Sequence, residues 1–194
     1  MNAPAWRHFV FKNRGAILVP VAAGLAVFGK PSLYSALGGT AVALGGELLR
    51  IWAVGYSGTT TRAGVVTAPR LVTAGPYALM RNPLYVGNSI IAFGFCWGFG
   101  GHWPPAVRIA ALAGVLLFVF GLYAAIVPLE EEYLAAAFGA QYVAYRRTVP
   151  RIVPRPPAPQ TERYGFWDGA VILKAEVITL AFFAAMTAVL FLEV

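Results

Sequence analysis

Residues 106–127 read AVRIAALAGVLLFVFGLYAAIV, an apolar run with one charge, Arg108, near its start. A helix of roughly 20 apolar residues crosses the hydrocarbon core of a bilayer. A helix apolar on all sides belongs in a membrane or a very large core. The run therefore predicts a membrane span, and four further runs share its character: residues 16–29, 33–56, 84–100 and 170–192. The first is short and carries Pro20. Its alternative is a signal-peptide core behind Arg7, Lys12 and Arg14, but no small-residue cleavage site leads into a soluble domain. Of the 194 residues, 59% are hydrophobic and 12% charged, against about 25% charged in a soluble domain. The expectation is an all-α polytopic integral membrane protein with about five transmembrane helices, folded as one domain over residues 1–194.

The connections are uneven. Residues 30–32 and 101–105 suit tight turns, whereas 57–83 and 128–169 are long. Five spans put both long links and the N-terminus on one side. That side carries Arg7, Lys12, Arg14, Arg62, Arg70, Arg81, Arg146, Arg147, Arg151, Arg155 and Arg163; the other has Lys30, with Arg108 close to it. Basic residues gather on the cytoplasmic side of membrane proteins, so the N-terminus and both links are expected in the cytoplasm, at a cell inner or plasma membrane. The net charge of +7 then reads as topology with some anionic-lipid contact, and no nucleic-acid partner is expected. Cys96, the single cysteine, excludes an internal disulfide and a cysteine-based metal site. His8 and His102 fall at opposite ends of the topology, which argues against a histidine metal centre or a Ser–His–Asp triad. No metal is expected.

Two long, Arg-, Tyr-, Pro- and Gly-rich links on one face suggest a site built between them. The first ends in LVTAGPYALMRNPLYVG (residues 71–87). Gly75-Pro76 and Asn82-Pro83 are turn-forming pairs, and Asn82 and Pro83 suit the N-cap and first position of the third span. A helix start of this kind favours an anionic group. Tyr77 and Tyr85 add flat surfaces and hydroxyls; Asn88 and Ser89 lie about one turn further in. The plainer reading is a capped helix start with interfacial tyrosines. The second link opens with Glu130, Glu131 and Glu132 directly after the fourth run. One could accept hydrogen bonds from a ribose diol or a cationic group, or all three could form a solvated first turn of a helix over 130–148. Downstream, PRIVPRPPAP (residues 150–159) cannot be a regular helix and reads as an extended strap. Arg146, Arg147 and Arg151 could bind headgroups, pair with the glutamates or hold a substrate carboxylate. Glu47 and Arg50, three apart in the second span, share a face and can pair; charges inside spans point to function by default, and the plainer reading is a structural ion pair near the cytoplasmic interface.

Taken in order, LRIWA (residues 49–53), LVTAGPYALMRNPLYVG and EEEYLAAAFGAQYVAYRRTVPRIVP resemble the isoprenylcysteine carboxyl methyltransferase family, which groups with the membrane phospholipid methyltransferases. The resemblance covers about residues 46–154. It implies an S-adenosyl-L-methionine-dependent methyltransferase in the bilayer, with a cytosolic cofactor pocket and a lipid or lipidated acceptor entering from the membrane. The family's Arg-His-Pro-x-Tyr-x-Gly motif falls on Arg81, Asn82, Pro83, Tyr85 and Gly87, and its Gly-Pro-Tyr on Gly75, Pro76 and Tyr77. Its paired glutamates fall on Glu130 and Glu131, or one residue on. Phe138, Gly139, Tyr142 and Tyr145 match the next signature. The resemblance thus implies cofactor contacts from Tyr77, Arg81, Asn82, Pro83, Tyr85, Gly87, Asn88, Glu130 and Glu131, and an anion-holding catalytic role for Arg147 or Arg151. Asn82 departs from the family's usual His; it can hydrogen-bond but cannot titrate near neutral pH.

Three other readings stand beside this one. A phospholipid amine N-methyltransferase would share the cofactor. An NADPH-dependent membrane reductase lacks an obvious basic pair for the second phosphate. A lipid-binding protein without activity is what a lost histidine would leave. The last run, residues 170–192 with Lys174 and Glu176 near its start, lies beyond the motifs and is unexplained by the resemblance.

Overall fold

The computed structural model describes residues 4–59, 67–157 and 163–194. Arg62 and the end of the proline-rich run, residues 158–159, lie outside the described residues. Every regular element within them is helical. α1 (Ala5–Lys12) is followed by a 3-10 turn (Ala16–Leu18) that runs into α2 (Val19–Phe28), and the two arms meet at 76°. α3 spans Leu33–Ser57, α4 Pro83–Phe99 and α5 Pro105–Thr148. A 3-10 turn (Gly169–Val171) leads to α6 (Ile172–Ala175), and α7 (Val177–Leu192) departs from that pair at 68°.

All five apolar runs are helical, but not all are straight spans. α3 and α5 are each long and apolar enough to cross a membrane, and the number rises to four if each bent pair counts as one span. α4 is apolar and 17 residues long. Residues 16–29 form only the second arm of a bent pair. Residues 170–192 are broken at Glu176, where apolar periodicity gave no warning of a bend. α5 continues out of its apolar run, which ends at Val127, through Pro128 to Thr148. Its 44 residues measure about 66 Å at the helical rise, twice a bilayer core of ~30 Å. Gly139 interrupts it, with φ 51° and ψ −124°.

α3 begins at a capping box: the Ser32 hydroxyl accepts from the Ser35 amide and the Ser35 hydroxyl accepts from the Ser32 amide. The Ser35 hydroxyl also donates to the Gly98 carbonyl at 2.8 Å, tying α3 to α4. Along this seam glycines face each other. A Cβ on Gly39 would come within 2.5 Å of the Gly94 carbonyl oxygen, and one on Gly46 within 2.6 Å of the Gly87 oxygen. Lipid offers no hydrophobic drive for helix association, so small residues that admit backbone-to-backbone contact supply it. Leu25, Phe95, Phe99, Met186 and Leu190 pack across α2, α4 and α7. Phe11 of α1 packs with Val119, Leu122, Ile126 and Leu129 of α5. Leu117 and Ile109 stand exposed on α5, as side chains in contact with lipid do.

The strap lies along the turn before α4. The Arg81 amide donates to the Pro150 carbonyl and the Arg155 amide to the Leu79 carbonyl. Residues 163–168 return to the same end: Thr73 and Ala74 amides donate to the Tyr164 carbonyl, and the Asp168 amide to the Gly55 carbonyl.

Overpacking a tight contact costs about 1–3 kcal/mol. Gly94→Val should therefore lower the melting temperature of the detergent-purified protein clearly. Gly114→Ala, where an added Cβ meets nothing within 4 Å, should not. Equal effects of the two would show that the α3–α4 glycine seam is not a constraint.

Candidate functional site

A cavity of about 750 Å³ opens among the ends of α3 and α4, the turn before α4, the middle of α5, the α1–α2 corner and the α6–α7 break. One part of its wall is polar: Tyr77, Arg81, Asn82, Tyr85, Glu130 and Glu131. Another is apolar: Val21, Leu25, Ile91, Phe95, Phe182 and Met186. A second space of about 460 Å³ lies between α4 and α5, walled by Ile90, Phe93, Leu116 and Phe120, and shares Asn82, Tyr85 and Tyr123 with the first.

The polar part is organised by Glu131. Arg81 meets it with Nη2 at 2.9 Å and donates Nε–H at 3.0 Å. Arg151 donates to it from Nε at 3.2 Å and from Nη2. Arg81 also donates through Nη1 to the Val149 and Arg146 carbonyls, so one guanidinium joins α4's start, α5 and the strap. Glu131 lies beyond the apolar part of α5. Burial pushes its carboxyl up, but hydrogen bonds and charges from Arg151 and Arg81 prevail and hold it below the usual carboxylate range. Its neighbour is different. Glu130 accepts from the Tyr85 hydroxyl at 2.7 Å, and burial pushes its carboxyl up to about 7, opposed by that hydrogen bond and by Arg14. Two adjacent carboxyls thus differ in their hold on a proton near neutral pH, because arginines outweigh burial at Glu131 whereas burial outweighs the phenol and Arg14 at Glu130.

Tyr85 packs against Tyr123 with ring centroids 4.4 Å apart and planes tilted by 35°. The Tyr145 hydroxyl donates to the Tyr77 carbonyl at 2.7 Å, which fixes the Gly-Pro-Tyr turn against the outer half of α5. Deeper in, Arg50 donates through Nη2 to both oxygens of Glu176 at 2.7 Å and through Nη1 to Asn88 Oδ1 at 2.6 Å.

The structure brings Tyr77, Arg81, Asn82, Pro83, Tyr85, Asn88, Glu130 and Glu131 to one cavity. Glu132, the shifted alternative for the glutamate pair, is exposed. Gly87 is not in the wall. It seats Arg50 instead: a Cβ there would come within 2.6 Å of the Arg50 Cγ. Asn82 stands at the N-cap position, as expected, yet its side chain does not cap α4. It donates to the Arg151 carbonyl at 3.1 Å, because the strap passes closer than the helix amides. Arg151 lines the second space, but its guanidinium is committed to Glu131. Arg147 is exposed and lines neither space. Glu47 and Arg50 do approach, at 3.7 Å, but the closer partner of Arg50 is Glu176. Sequence reasoning missed Glu176, Tyr123 and the Phe11–Gly15 corner. A charge within an apolar run was a signal for the first; nothing in the local sequence marks the others.

Removing one partner of a buried ion pair costs several kcal/mol. The Arg151 side chain is 49% exposed, so Glu131→Gln should cost less, about 2 kcal/mol. Glu131 has a lowered folded-state pKa. Its contribution is present above the ordinary carboxylate range and disappears as pH falls through its folded value. Wild-type stability should therefore fall on acidification below about pH 4.5 more steeply than that of Glu131→Gln. Parallel acid limbs in denaturation curves would refute the pairing.

The model of the phospholipid methyltransferase family matches residues 33–141. Protein-S-isoprenylcysteine O-methyltransferase B of Arabidopsis thaliana is 39% identical over 85 residues, covering 44% of this chain and 40% of that one. The cobalt-zinc-cadmium resistance protein CzcN of Cupriavidus metallidurans is 37% identical over 86 residues, covering 44% and 36%. Protein-S-isoprenylcysteine O-methyltransferase of Schizosaccharomyces pombe is 33% identical over 87 residues, covering 43% and 33%. The matched segment thus spans 40% or less of the length of each of these relatives. No solved structure gives a significant match.

Proposed function

The chain belongs to the phospholipid methyltransferase family, and from that premise we propose that it is an S-adenosyl-L-methionine-dependent methyltransferase of the bilayer acting on a lipid or isoprenylcysteine-like acceptor. The observation that carries this reading is one cavity with a polar, carboxylate-bearing part and an apolar part. A nucleoside donor and a lipid acceptor need such a space to meet.

The residues fit the cofactor. Glu130 and Glu131 offer carboxylate oxygens to ribose hydroxyls, and the Tyr85–Tyr123 pair offers an aromatic face. The Tyr142 hydroxyl is buried in the cavity wall with no partner among the described residues, so it is free to meet a polar ligand atom. Bound there, S-adenosyl-L-methionine supplies an electrophilic methyl group. The chain's part is to orient donor and acceptor and exclude water. Glu130, Tyr77 and Tyr85 form an electron-rich wall suited to a sulfonium. Arg151, at the second space, stands where an acceptor carboxylate or phosphate could be held. Methyl transfer to a carboxylate or a neutral amine requires no titrating histidine, which accommodates Asn82.

In this reading the five helical runs cross or enter the membrane, and the cavity faces the cytoplasm. The basic side bears the N-terminus, the links and the cavity's polar part, in accord with the charge rule. The membrane is a cell inner or plasma membrane. Nothing in the cavity favours a nicotinamide cofactor.

Calorimetric titration of the purified protein should give micromolar binding of S-adenosylhomocysteine and none of NADPH. Absence of the first from a folded sample would end the methyltransferase reading. A second outcome follows from Glu130, which gains its charge as pH rises through about 7. Between pH 6 and 8, affinity for the cationic S-adenosylmethionine should rise severalfold relative to the uncharged-sulfur homocysteine analogue. Glu130→Gln should abolish that rise; its persistence would remove Glu130 from the donor site.

A further inference from the structure

The α6–α7 pair lies outside residues 33–141, yet it supplies part of the cavity wall through Glu176, Thr179, Phe182 and Met186. Its bend falls at Glu176, whose side chain is 1% exposed and takes both close contacts from Arg50 Nη2 at 2.7 Å. Arg50 in turn holds Asn88 by its Oδ1 at 2.6 Å. The chain of contacts thus runs from α7's start through α3 to α4, and Arg50, Asn88 and Glu176 all line the cavity. Gly87, next to Asn88, leaves the space through which the Arg50 stem passes.

We propose that Glu176 is a positioning residue for the site: by clamping Arg50 it fixes the Asn88 amide in the cavity wall, which makes the bent α6–α7 pair part of the ligand-binding apparatus. This rests on the reading of the cavity as a methyl-donor site. With Oδ1 committed to Arg50, the amide plane of Asn88 is set and its two N–H donors are directed away from the guanidinium. Without the Glu176 carboxylate, Arg50 loses the two 2.7 Å contacts that fix its orientation and keeps, among carboxylates, only the looser 3.7 Å approach of Glu47. Its guanidinium stays beside position 88 but no longer holds the Asn88 amide in one orientation. A purely structural clamp would not need to face the cavity, nor to act on a cavity residue through a second side chain.

The test is a double-mutant cycle on the full-length protein in nanodiscs, read by S-adenosylhomocysteine affinity. Glu176→Gln should weaken binding about tenfold, as should Asn88→Ala, and the double variant should be no weaker than Asn88→Ala alone. Additive losses, or an unchanged Glu176→Gln, would overturn the proposal while leaving the cofactor reading intact. Should Glu176→Gln fail to fold, Glu47→Leu/Arg50→Leu/Glu176→Leu removes all three charges of the cluster together and is expected to fold. It should show the same tenfold loss, and wild-type affinity in it would overturn the proposal. A ligand-free arm separates the two readings. In a Cys96→Ala background, a thiol placed at position 88 by Asn88→Cys is labelled by a maleimide. Adding Glu176→Gln frees the Arg50 charge to stabilise the thiolate, so labelling at fixed pH should accelerate severalfold. No wild-type binding together with that acceleration would reject the methyl-donor reading and keep the clamp. No acceleration would reject the clamp.

Discussion

The close approach of α3 and α4 is the constraint on which the rest of the molecule depends. Gly39 and Gly46 on one helix and Gly87, Gly94 and Gly98 on the other let the two backbones touch. At that separation Ser35 reaches the Gly98 carbonyl and Arg50 reaches Asn88. Because α4 begins at Pro83, the same contact also fixes where the Arg81–Asn82 turn emerges. In lipid the gain comes from packing and from hydrogen bonds between helices, and this seam has both.

From the seam outward, the site is assembled by arginines used as clamps. Arg81 joins the start of α4 to α5 and the strap through Glu131 and two carbonyls. Arg50 joins α3, α4 and the α6–α7 break through Asn88 and Glu176. A guanidinium has several donors in a rigid plane, so it can satisfy partners on three elements at once. The result places two neighbouring glutamates in opposite settings. Glu131 is neutralised by arginines, and Glu130 lies against tyrosines, where its charge varies around neutral pH.

The polar residues deepest in the cavity wall lie where sequence and lipid conflict. The apolar parts of α3, α5 and α7 are what any spanning helix requires. Arg50, Asn88 and Glu176 contradict that requirement, and each is in the cavity wall. Charges in such places are costly to keep, which is why they mark the site more clearly than the abundant surface arginines, Arg147 among them.

The sequence by itself determined the helical, membrane-embedded class, because twenty-residue apolar runs have few other uses. The motifs around Tyr77–Asn88 and Glu130–Glu131 were legible too, since Pro, Asn and clustered carboxylates carry strong local preferences. Tertiary structure alone showed the bends at the α1–α2 corner and at Glu176, the second of which is held by Arg50 from a distant segment. It also turned Asn82 from a helix cap into an anchor for the strap, and set the Arg50 stem against Gly87. Both outcomes depend on which backbone passes nearby. Local preference fixes what a residue can offer, and only packing fixes the partner that accepts it.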